Sequence, residues 1–76
     1  MDYKTILATR LTALRKERKL TLVQLGEILG IKNQSVSQFE KGKNYPSCET
    51  LLALADYFDV SLDFLCGRSE VKERTP

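Results

Sequence analysis

Residues 21–42 read TLVQLGEILGIKNQSVSQFEKG, and the order of residue types in this stretch decides the fold. The Thr21 hydroxyl can accept a hydrogen bond from a free amide at a helix start, and Gln24 three residues on completes a capping-box pattern. Leu25, Ile28 and Leu29 recur at helical spacing and predict one apolar face. Gly30 follows where a helix ends through a residue of positive φ, which glycine adopts without steric penalty. Ile31 is the apolar plug of the turn, Val36 and Phe39 mark a second periodic run, and Gly42 is its stop. Gly26 stands one turn before Gly30. A mid-helix glycine costs about 0.5–1 kcal/mol relative to alanine. Its presence implies a packing reason: two helices crossing steeply need a small residue where their backbones approach.

Two short helices joined by a tight turn, with these residue types at these intervals, form the helix-turn-helix pattern. The segment resembles the phage-repressor (Cro/repressor, Xre-like) family of transcriptional regulators. The resemblance runs from residue 5 to residue 67, because PSCETLLALADYFDVSLDFLCG looks like that family's fourth and fifth helices. It implies an all-α, compact five-helix, lambda-repressor-like DNA-binding domain over residues 1–67, followed by a charged tail at 68–76.

The rest of the chain agrees with that count. Leu7, Leu11 and Leu14 lie on one side of a first helix, with Thr9, Arg10, Arg15 and Lys16 on its polar side. Lys43 to Pro46 reads as a loop, and Pro46 discourages helix at Tyr45. Ser47 caps a fourth helix carrying Leu51, Leu54, Ala55 and Phe58, with Glu49 in its first turn. Ser61 caps a short fifth helix that holds Leu62, Phe64 and Leu65 and is closed by Gly67. The expected helices are 4–18, 22–29, 33–41, 48–58 and 62–66. The tail is charged and is expected to fray.

Seventy-six residues make one domain, which buries only about 60–65% of its unfolded surface and must pack tightly, oligomerise or both. No apolar run approaches the roughly 18 residues that span a bilayer, and the N-terminus lacks a signal-peptide core, so a cytoplasmic location is expected. The net charge of +2 is unevenly divided. Residues 1–44 carry Lys4, Arg10, Arg15, Lys16, Arg18, Lys19, Lys32, Lys41 and Lys43 against Asp2, Glu17, Glu27 and Glu40, a net +5. Residues 45–76 carry Arg68, Lys72 and Arg74 against Glu49, Asp56, Asp59, Asp63, Glu70 and Glu73, a net −3. Such asymmetry suits a molecule with one side turned to a polyanion.

Several chemistries are excluded. The chain has no histidine and two cysteines, short of the about four ligands of a zinc site. Cys48 and Cys66 are expected to be half-buried thiols acting as small hydrophobes. No nucleophile stands at a recognisable spacing from a base, and no glycine-rich phosphate loop occurs. Neither enzyme activity nor a cofactor is expected, and no small-molecule ligand is evident.

The informative polar run is Lys32-Asn33-Gln34-Ser35, with Ser37 and Gln38 beyond it. In a helix-turn-helix the N-terminal residues of the second helix enter the major groove, and Asn and Gln amides can pair bidentately with adenine. The family pattern implies base reading by Asn33, Gln34, Ser37 and Gln38. It implies phosphate contacts from Arg15, from the helix start at Thr21, from Lys32, and from the loop residues Lys43, Asn44 and Tyr45. Lys32 departs from the family's usual Ser or Thr cap, and Leu22 from its frequent phosphate-binding glutamine. Arg15 and Glu40 match positions where an ion pair orients the recognition helix. Phe64 is expected to point away from the core into a two-fold contact. The function so implied is a sequence-specific regulator, most simply a repressor, binding double-stranded operator DNA as a homodimer. The alternative is a protein-interaction module, such as an antitoxin or anti-regulator, with DNA binding secondary or lost.

Overall fold

The computed structural model describes residues 2–73 and contains five α-helices. They are α1 (Tyr3–Glu17), α2 (Leu22–Leu29), α3 (Asn33–Glu40), α4 (Cys48–Phe58) and α5 (Leu62–Cys66). Each boundary has a local cause. Asp2 caps α1 by accepting from Lys4 N at 3.0 Å and from the Thr5 hydroxyl at 2.8 Å, so the helix starts one residue earlier than expected. It stops at Glu17 through Lys19, a non-glycine residue in the left-handed region (φ 57°). Thr21 and Gln24 form the capping box at α2 in both directions, at 3.0 and 2.9 Å. Gly30 (φ 73°) ends α2, Ser47 and Ser61 cap α4 and α5, and α3 ends at Glu40 rather than Lys41.

One core joins all five helices. Leu7, Leu11 and Leu14 of α1 meet Leu25, Val36, Leu51, Leu54, Phe58 and Leu65, with Val60 between α4 and α5. Ile28 is not part of it. With about 100° per residue, it falls roughly 110° from the centre of the Leu22, Leu25, Gly26 and Leu29 face, and it is exposed. Cys48 is also exposed rather than half-buried, because it opens α4 on the solvent side; Cys66 is half-buried, and both thiols are free.

Gly26 has the packing reason expected of it, though its close neighbour is the turn rather than the next helix. A Cβ there would stand 2.8 Å from Ile31 O and 3.3 Å from Asn33 N. The chain entering α3 therefore lies directly on α2.

Within the described residues, the segment after α5 is hydrogen-bonded to the body of the domain. The Arg10 guanidinium turns inward, lies 4.2 Å from the Phe64 ring centroid, and donates to Phe64 O and to Ser69 O. Ser61 N donates to Lys72 O at 2.8 Å, and the Ser61 hydroxyl to Val71 O at 3.1 Å. The last three residues of the tail lie outside the described residues. Phe64 is half-buried, packed on the core and covered by Arg10, so it is not the free apolar side chain the sequence suggests.

Replacing Gly26 with alanine forces the turn backbone to retreat. The expected loss is about 1–3 kcal/mol, as for other overpacked sites, with a fall in Tm of about 4–8 °C per kcal/mol in a chain of this size. Thermal and urea unfolding of Gly26→Ala beside wild type reads this directly; equal stability would show that the close approach constrains nothing.

Candidate nucleic-acid interface

Helix α3 buries Val36 and Phe39 and turns its N-terminal end outward. Asn33 and Gln34 are exposed, and Ser37 and Gln38 half-buried, so the four expected base-reading residues share one helix and differ in reach. Lys32 occupies the N-cap without a capping side chain, and Asn33 is the first helical residue. Asn33 does not replace the missing cap. Its amide, like that of Gln34, faces solvent.

The two ends of α3 are fixed by different means. At the start, the backbone rests on Gly26. At the end, Glu40 accepts from Arg15 Nε at 2.6 Å and from a terminal nitrogen at 3.0 Å, a bidentate pair between residues 25 apart in sequence. The other terminal nitrogen of Arg15 donates to Leu20 O at 2.7 Å. Arg15 thus joins α1, the turn into α2, and α3. Its pKa is raised, first by hydrogen bonding to Glu40, against the opposing effect of burial. The side chains of Arg15 and Glu40 are only 14% and 10% exposed. Arg15 therefore has little surface left for a phosphate.

The loop after α3 folds back on the helix: Lys43 N and Asn44 N both donate to Gln38 O, at 3.0 and 3.4 Å. The Lys43 and Asn44 side chains are both exposed on this loop. Tyr45 lines an open groove shared with Asp2, Tyr3, Lys4, Cys66 and Arg68. Burial, reinforced by the neighbouring Cys66 thiol, pushes its phenol up to about 12, so Tyr45 is a neutral donor at physiological pH.

The basic half of the chain divides by residue type. Its three arginines are committed to the fold: Arg10 as above, Arg15 to Glu40, and Arg18 donating to Tyr57 O at 3.2 Å with its guanidinium over the Tyr57 and Phe58 rings. Its lysines, Lys4, Lys16, Lys19, Lys32, Lys41 and Lys43, all lie at the surface. Charge counted along the sequence does not separate the two groups. Among the described residues no cluster could hold a metal ion, and no helix is long and apolar enough to cross a membrane.

A double-mutant cycle on Arg15→Ala and Glu40→Ala measures what the pair contributes. The expected coupling in unfolding free energy is within about 0.5–3 kcal/mol and above the about 0–1 kcal/mol of an exposed pair. Additive losses would mean that the two side chains act independently.

A family model described as helix-turn-helix matches residues 11–65. The chain is 40% identical over 67 residues to the HTH-type transcriptional regulator AnsR of Bacillus subtilis (strain 168), covering 88% of this chain and 58% of AnsR. It is 37% identical over 59 residues to the cryptic phage CTXphi transcriptional repressor RstR of Vibrio cholerae, covering 78% of this chain and 53% of RstR. The chain thus spans little more than half the length of these relatives. The crystal structure of the P22 c2 repressor in complex with a synthetic operator is similar at a TM-score of 0.79 and 33% identity, over 84% of this chain and 97% of that one. With five helices, this motif and these relatives, the chain belongs to the helix-turn-helix family of transcriptional regulators, a DNA-binding fold and not an enzyme family.

Proposed function

We propose that this chain binds a palindromic operator sequence-specifically, as a homodimeric repressor, with α3 as its recognition helix. The observation that carries this reading is the outward-facing amide pair of Asn33 and Gln34, on a helix fixed at both ends and flanked by surface lysines. Asn33, Gln34, Ser37 and Gln38 read base edges. Thr21 marks an α2 N-terminus whose free amides meet a phosphate, and Lys32, Lys43 and Asn44 meet others. Arg15 acts mainly by orienting α3 through Glu40. The P22 relative bound to operator DNA supports a DNA partner, and RstR supports repression.

One copy offers few base contacts, and two copies spaced by about 10 bp supply the missing specificity. With Phe64 covered by Arg10, the apolar surface available on the α4–α5 side is Leu52, 49% exposed, beside a groove that also reaches Leu62. A second copy docked there would bury both. Leu52→Ser leaves the core untouched, so it should fold normally while weakening self-association and operator binding. Sedimentation across a concentration series checks this; identical monomeric profiles for both proteins would remove the dimer.

Base reading and charge are separable by substitution. Gln34→Ala should lose about 1–3 kcal/mol on the operator and relax preference mainly at one position of each half-site. Lys43→Ala should weaken all sequences alike and lower the salt slope by about one for each phosphate no longer neutralised. Titrations of a selected operator and a scrambled duplex at several salt concentrations decide it. If Gln34→Ala weakens both duplexes equally, α3 is not the reading surface.

A further inference from the structure

The groove beside Tyr45 lies outside the helix-turn-helix. It has a volume of about 880 Å³ and is lined by Asp2, Tyr3, Lys4, Tyr45, Cys66 and Arg68. We propose that it is a second seat for the DNA sugar–phosphate backbone, in which Lys4 and Arg68 supply the charge and the two phenols the hydrogen bonds. This rests on the DNA-binding reading above and extends it to both ends of the domain, the first turn of α1 and the segment after α5.

Three observations support it. The groove continues the loop that carries Lys43 and Asn44: a Cβ at Gly42 would stand 3.9 Å from Lys4 O, so the first turn of α1 lies against that loop. Its charge suits a phosphate. Lys4 and Arg68 reach the surface and outnumber the single carboxylate of Asp2, which accepts from the Thr5 hydroxyl and Lys4 N. Its walls suit a sugar–phosphate chain and not a base edge, because Tyr3 and Tyr45 offer ring faces and hydroxyl donors, and no Asn or Gln amide lines it. The docking of the tail now has a purpose. Arg68 N donates to Asp63 O at 2.8 Å, and Arg10 holds Ser69 O at 2.7 Å, so the backbone on both sides of the Arg68 side chain is fixed.

The test uses the full chain and its Lys4→Ala, Arg68→Ala and double variants, with Lys72→Ala as a control. Lys72 is exposed and paired with Glu17 at 3.5 Å, does not line the groove, and changes net charge equally. Each groove substitution should lower the slope of log affinity against log salt by about 0.9, and the double by about 1.8 per chain. The loss should be equal on operator and scrambled duplexes, and Lys72→Ala should change the slope much less. Phosphate-ethylation interference should show phosphates needed by wild type but not by the double variant, distinct from those that Lys43→Ala releases. An unchanged slope, or a drop matched by Lys72→Ala, with no such phosphates, would overturn the groove while leaving the helix-turn-helix reading intact. A wild-type chain without salt-dependent DNA affinity would overturn both.

Discussion

A side chain that is missing sets the geometry of this molecule. With only hydrogen at Gly26, the backbone of Ile31 to Asn33 can rest on α2, and the angle at which α3 leaves the turn follows from that contact. Val36 and Phe39 then reach the core, and Glu40 arrives beside Arg15. Sterics fix the first turn of α3, apolar packing its middle, and a bidentate ion pair its last turn. A helix of eight residues would be marginal alone. Held at three levels, it can present short polar side chains with little freedom.

The division between arginine and lysine in the basic half has a physical basis. Guanidinium is planar, weakly hydrated and able to donate in several directions at once, so it tolerates partial burial against carbonyls, a carboxylate and aromatic rings. Arg10 and Arg15 do this, Arg18 remains exposed while lying over the Tyr57 and Phe58 rings, and each ties α1 or its C-cap to a distant part of the chain. Ammonium is compact and strongly hydrated, and the six lysines keep to the surface. The fold therefore uses one cation as a fastener and leaves the other as surface charge.

This division also marks what could be read from the sequence. Caps and stops are local, so Thr21, Ser47, Ser61, Gly30 and Gly67 located the ends of α2, α4 and α5, and the spacing of Leu7, Leu11 and Leu14 identified the core side of α1. The exposed tip at Asn33 and Gln34 was legible because helical phase decides it. Long-range partnerships were not. Nothing in the neighbourhood of Arg10 announces a carbonyl 59 residues away, and without that bond neither the cover over Phe64 nor the docked tail could be foreseen. Ile28 was misplaced because an eight-residue helix has room for only a narrow buried stripe, which Leu22, Leu25, Gly26 and Leu29 already fill. The left-handed turns at Lys19 and Asp59 left no mark because neither residue type is diagnostic of positive φ in the way glycine is.

The surface lysines have one further consequence. The chain contains no histidine, the side chain whose ordinary pKa lies between about pH 5 and 8. What the positive surface does feel is the ion atmosphere: its reach contracts from about 30 Å at about 0.01 M salt to about 8 Å at about 0.15 M. Ionic strength is the ambient variable to which this surface is built to respond.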